Sequence, residues 1–69
     1  MKISARNILK GKVVKITEGA VNTEILLKLS GGAQVVSIIS KESSEKLGLK
    51  AGKTAYAIIK ASNVMIAVD

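Results

Sequence analysis

Two short segments near opposite ends of the chain carry residue types that recognise an anion. Ser4-Ala5-Arg6-Asn7 sets a hydroxyl and a guanidinium two residues apart, and Lys60-Ala61-Ser62 sets an ammonium and a hydroxyl at the same spacing. On a strand, residues two apart share a face. In an all-β barrel the first and late strands are often neighbours, and Ser4, Arg6, Lys60 and Ser62 then converge. The set offers two fixed positive charges, two hydroxyl donors and nearby backbone N–H groups, with no carboxylate. A small dianion that stays ionised at neutral pH needs only donors, and a nearby Asp or Glu repels it. The residues alone leave a plainer reading open, in which they are solvated basic side chains beside turn serines.

Three further groupings bear on binding. Ser40 and Ser43 flank the start of a short helical segment, where backbone N–H groups point outward and attract anions; ordinary capping explains them equally well. Gly19-Ala20-Val21-Asn22 is a small-residue stretch where backbone can approach a ligand or a symmetry mate, or simply turn a hairpin. Lys10, Lys12, Lys15 and Lys28 make a basic band on one hairpin. Such a band can meet phosphates through charge alone. Single-strand recognition also needs aromatic platforms for base stacking, and Tyr56 is the sole aromatic residue, so a solvated lysine face is the preferred reading.

Composition narrows the chemistry. The 69 residues include no Cys and no His. Disulfides, thiol catalysis and zinc fingers are therefore excluded, and the commonest base and transition-metal ligand is missing. The five acidic residues are scattered and do not read as a calcium or magnesium cage. No enzyme is expected. A net charge of +6 suits an anionic partner. No stretch reads as a secretory signal or a membrane span, so a cytoplasmic protein is expected. The chain is nonetheless 48% hydrophobic. A domain this small buries only about 60% of the surface its unfolded chain exposes, so the surplus apolar residues are expected at subunit interfaces.

The elements that must position these groups are mostly strands. Residues 10–18 (KGKVVKITE) read as one, and 21–29 as a second with clean period-two alternation. Glu18-Gly19 joins them, Ser30-Gly31-Gly32 makes the next turn, and 34–40 (QVVSIIS) is a third strand, apolar on both faces. Residues 41–47 read as a short helix with Ser40 as N-cap and Gly48 following. Residues 54–61 and 64–68 (VMIAV) are expected as late strands joined at Ser62-Asn63, and 2–7 as an extra first strand. The expected fold is all-β: a small OB-type barrel of five to six strands with one short helix at about 41–47. Val35, Ile39, Ile59, Met65 and Ala67 fall on opposite parity from Val36, Ile38, Ile58, Ile66 and Val68. One barrel interior cannot use both sets, and the second is expected against another subunit.

Several segments together resemble a known family. SARN at 4–7, KGKVV at 10–14, EGAVN at 18–22, SKESSEKLGL at 40–49, KAGK at 50–53 and YAIIKASNVMIAVD at 56–69 are similar to the molbindins. These are small cytoplasmic molybdate-binding proteins built from one Mop (TOBE-like) domain. The resemblance covers essentially the whole chain in the family's order. It implies a single Mop domain over 1–69, an OB-type barrel, and a homohexamer arranged as a trimer of dimers. It also implies storage and homeostasis of molybdate and tungstate, held at subunit interfaces in two kinds of site without cofactor or direct cation ligands. The first kind would use Ser4, Arg6, Lys60 and Ser62, with backbone from Ala5 and Ala61 and with Ser40 and Ser43 from a partner subunit. The second, near the threefold axis, would use Gly19, Ala20, Val21 and Asn22. Ser40 stands where relatives often have Thr, which keeps the hydroxyl. Two other functions fit the sequence: a small basic nucleic-acid-binding barrel, and a ligand-sensing module of a molybdate-responsive regulator or transporter ATPase. Met1 and Asp69 are expected to bound a complete protein.

Overall fold

The computed structural model describes residues 1–69. Strand β1 (Asn7–Glu18) is followed by β2 (Asn22–Leu29), β3 (Gln34–Ser40), helix α1 (Lys41–Lys46) and β4 (Thr54–Ile59), with a 3₁₀ turn at Ala61–Asn63. The four strands form one antiparallel sheet in the order β3-β2-β1-β4. The sheet curls into a half-barrel whose two edge strands, β3 and β4, do not pair with each other.

β1 is long enough to serve two partners. Its first half pairs with β4, from Asn7 opposite Ile59 to Lys12 opposite Thr54. Its second half pairs with β2, from Gly11 opposite Leu29 to Glu18 opposite Thr23. Gly11 belongs to both ladders and is buried there. A Cβ at this position would lie 2.7 Å from the Lys28 carbonyl oxygen and 3.0 Å from a Leu29 methyl, so the strands could not approach as closely. A bulge at Val14 then shifts the register between Val13 and Lys15. The shift exchanges the faces of β1. Val13 and Ile16 both turn to the core, while Lys10, Lys12 and Lys15 all turn to the convex outer face.

The alternation expected in β2 holds: Thr23, Ile25 and Leu27 are buried, and Asn22, Glu24 and Lys28 are exposed. Val13, Ile25 and Leu27 are the fully packed core, with Ile16, Val35, Ile39, Leu49, Ala55 and Ala57 against them. Gly31 and Gly32 take φ of +92° and +98° in the β2–β3 turn, a conformation that side chains resist. Ser40 caps α1 as expected, and the helix ends at Lys46 with Leu47 as its C-cap. Leu49 packs on the core, whereas Leu47 stays exposed.

The all-β barrel-like reading with one short helix stands, and the strand count of a single chain is four. Residues 2–6 are irregular, because the ladder that would hold them stops at Ile59, where the chain leaves the sheet for the 3₁₀ turn. For the same reason the strand expected over 54–61 ends at Ile59. Residues 64–68 leave that turn with extended backbone at Val64 (φ −91°, ψ 122°) but pair with nothing. Met65, Ile66 and Val68 are 93%, 86% and 93% exposed. The parity argument is borne out on β3: Val35 and Ile39 pack inward, and Val36 and Ile38 face outward. No helix is long and apolar enough to cross a membrane.

Gly11→Ala is expected to destabilise the chain by about 1–3 kcal/mol, since the added methyl meets backbone that can retreat only by bending two ladders. The shift of the urea midpoint measures it; an unchanged midpoint would show that the close approach is not required.

Candidate functional site

The β1–β4 ladder determines where the two termini meet. Asn7 opposes Ile59, and the Asn7 side chain donates from Nδ2 to the Ile59 carbonyl at 3.1 Å. This bond joins residues 52 apart in sequence and fastens the first segment to the end of β4. Beyond it, residues 3–6 and 60–63 form the two sides of an open cavity of about 620 Å³. Ser4, Ala5, Arg6, Lys60, Ala61 and Ser62 all line it, together with Ile3, Ile58 and Asn63. The six residues singled out at the two ends therefore do converge. The means differ from the expectation of paired strands: one side is irregular chain and the other is a 3₁₀ turn.

The turn shapes the chemistry of its side. The Asn63 N–H donates to the Lys60 carbonyl at 2.9 Å, and the Val64 N–H donates to the Ala61 carbonyl at 3.2 Å. No side chain caps the turn, so its leading N–H groups keep their donor capacity. Arg6 and Lys60 are exposed and pair with no carboxylate. The chain's single ion pair lies elsewhere, between Lys46 and Glu42 at 3.4 Å on α1. The cavity is thus lined by two cations, two hydroxyls and free backbone donors. It holds no group of acidic side chains of the kind that grips a metal cation. Asn63 also lines the cavity and Asn7 fastens its two sides, and the sequence reading names neither for that role. Asn7 closes the SARN motif and Asn63 directly follows Ser62, so both lay beside residues already marked.

Ser40 and Ser43 lie outside this cavity within one chain. The Ser43 N–H donates to Ser40 Oγ at 3.0 Å, and the Ser40 hydroxyl donates to Ser43 Oγ at 2.8 Å. Ser40 is thus occupied as the cap, and Ser43 retains its own hydroxyl proton. The 19–22 loop lies beside them. Asn22 opposes Ser40 across the β2–β3 ladder, the Lys41 N–H donates to the Val21 carbonyl at 2.8 Å, and the Gly19 N–H donates to the Asn22 carbonyl at 2.8 Å. Groups that the resemblance assigns to two kinds of site are therefore neighbours on one face of the chain.

The lysine band is formed as expected. Lys12 stands directly opposite Lys28 on the outer face, and Lys10 stands opposite Tyr56. The single aromatic ring is on this face and not in the cavity.

Comparison with known proteins agrees with this fold. The model of the TOBE domain family matches residues 3–66. The chain is 53% identical over 66 residues to molybdenum-pterin-binding protein 3 of Clostridium pasteurianum, covering 96% of this chain and 97% of that one. Its backbone superposes on MopII from Clostridium pasteurianum with a TM-score of 0.93 at 48% identity, over 97% of this chain and 100% of that one. It superposes on the cytoplasmic molybdate-binding protein ModG, solved with molybdate bound, with a TM-score of 0.91 at 52% identity, over 94% of this chain and 46% of that one.

Ser40→Ala removes the acceptor for the Ser43 N–H and is expected to cost about 1 kcal/mol of stability, while Ser40→Asp keeps the cap and restores most of it. Thermal unfolding of both variants checks this; equal loss in the two would mean that the cap is not the source.

Proposed function

The chain belongs to the TOBE domain family, among its molybdenum-pterin-binding (Mop) members, and from that premise we propose that it binds molybdate reversibly as a free oxyanion. The observation that carries this reading is the convergence of Ser4, Arg6, Lys60 and Ser62 on one cavity without a carboxylate. Arg6 and Lys60 supply charge, and the two hydroxyls and the N–H groups near Ala5 and Ala61 supply directed donors. Hydrogen bonds to a charged ligand contribute about 1.5–3 kcal/mol each, and several acting together offset the cost of dehydrating a dianion. Tungstate has the same shape and charge and fits the same donors. The binding is non-covalent and the anion is cargo, which accords with storage and homeostasis of molybdenum in the cytoplasm by a single domain spanning 1–69.

In this reading the site is completed between subunits of a homohexamer, a trimer of dimers. The cavity of one chain is too wide to be filled by one tetrahedral anion, and Ser40 and Ser43 of a neighbouring copy close it. The loop at Gly19, Ala20, Val21 and Asn22 forms the second kind of site. Two features support such an assembly. The gap between the edges of β3 and β4 is an apolar trough of about 530 Å³, lined by Ile25, Leu27, Val35, Ile39, Ala57 and Ile59 among others. The extended and exposed segment 64–68 has the β-branched, apolar character of a strand without a sheet. Each Val, Ile or Met buried there from a neighbour contributes about 1.5–3 kcal/mol to association.

Arg6→Ala and Lys60→Ala are each expected to weaken molybdate binding by about 10- to 100-fold in titration calorimetry, with circular dichroism unchanged. Unchanged binding heats in both would sink the assignment. Deleting residues 64–69 is expected to reduce the oligomer to smaller species in native mass spectrometry and to abolish binding; a hexamer that survives the deletion would contradict the assembly proposed here.

A further inference from the structure

The convex outer face of the sheet carries charge that the anion cavity does not use. Lys12 and Lys28 stand directly opposite each other across the β1–β2 ladder, and Lys10 shares their face two residues back along β1. Like charges at opposed positions repel. All three side chains are exposed, and none makes an ion pair or a hydrogen bond within the chain. The Val14 bulge adds Lys15 to the same face. Glu24 is the one acidic residue in the outer rows of the sheet, and it lies one row beyond Lys15, where the band ends. At the other end Lys10 faces Tyr56 across the β1–β4 ladder, and that ring is 48% exposed. We propose that this face binds single-stranded nucleic acid, with phosphates on Lys10, Lys12 and Lys28 and an unpaired base on Tyr56.

Spacing and charge both fit such a partner. Two residues along a strand advance about 6.8 Å, close to the step between successive phosphates of an extended nucleic-acid strand. Lys10 and Lys12 therefore meet neighbouring phosphates, and Lys28 doubles the charge at the second. Contact releases counterions from the phosphates and relieves the Lys12–Lys28 repulsion, so binding removes a cost that the free chain carries. Charge alone would serve a duplex equally well. The Tyr56 ring separates the two, because a base within a duplex is already stacked and only an unpaired one can lie on an exposed ring. Composition offers a single ring, and the register places it beside the cation that would hold the adjoining phosphate. None of these four residues lines the anion cavity, so the inference is independent of the molybdate reading.

The test is fluorescence anisotropy of a short labelled single strand with the full chain, over a range of salt concentrations. The matching duplex and polyglutamate, which stands for an acidic protein surface, serve as competitors. The single strand is expected to bind with a log–log salt slope of about −2 to −3, as about three to four phosphate contacts give. Lys12→Gln combined with Lys28→Gln is expected to reduce the magnitude of that slope by about 1.4. Tyr56→Ala is expected to weaken the single strand by about 5- to 100-fold with little change for the duplex, and Tyr56→Phe to retain binding. Molybdate titration of the double lysine variant is expected to stay within about twofold of the parent, since exposed charges outside the cavity are screened by salt. Absence of binding at low salt, a slope that the lysine variant leaves in place, or a duplex or polyglutamate competing as well as the single strand overturns the proposal. A larger loss of molybdate binding does so too, because it assigns the lysines to the anion site.

Discussion

The long strand β1 is the constraint on which the rest depends. Paired along both edges like β2, it gives its first half to β4 and its second half to β2. The hand-over happens at Gly11, where both neighbours crowd the same residue, and the bulge at Val14 follows immediately. Both groups of candidate residues hang from the two ends of this strand. At its N-terminal end the Asn7–Ile59 pairing gathers the cavity. At its C-terminal end the 19–22 turn leads into β2, and the β2–β3 register carries Asn22 up against the capped start of α1. The bulge also keeps the lysines together on the outer face, so that charge is held away from a core that has only three fully packed side chains.

That core is too small for the apolar content of the chain. The sheet leaves a trough open between its edges and a hydrophobic segment extended beyond it, and the cavity between the termini is likewise half enclosed. These are one economy of construction. A chain that closed its own barrel with residues 64–68 would leave no reason to associate. A chain that leaves its edges open can place polar groups from two copies around one ligand, and occupancy of such a site then stabilises the assembly by mass action.

Much of this was legible in the residues. The alternation from Val21 to Leu29, the Gly31-Gly32 turn and the Ser40 cap each follow from local physics, and all three are realised. The convergence of Ser4, Arg6, Lys60 and Ser62 followed from type and spacing, although the strand geometry invoked for it was not what achieved it. The terminal strands failed for a reason that no local pattern records. A β-strand exists only beside a partner, and VMIAV has the right composition but lies along neither of the free edges of β3 and β4. The Val14 bulge was equally hidden, since KGKVVKITE gives no sign of where its parity reverses. The meeting of the 19–22 loop with α1 depended on the β2–β3 register, which is a property of two strands and of neither alone.

The bond between Asn7 and Ile59 has a consequence in time. Contacts between residues far apart in sequence form late, because the loop between them must first be ordered. The hairpins of β1, β2 and β3 involve near neighbours and can zip as the chain emerges during synthesis. The segments at residues 4–6 and 60–62 cannot meet until the chain has been made past β4. A nascent chain therefore lacks the cavity between its termini, and gains it in the same event that fastens Asn7 to Ile59.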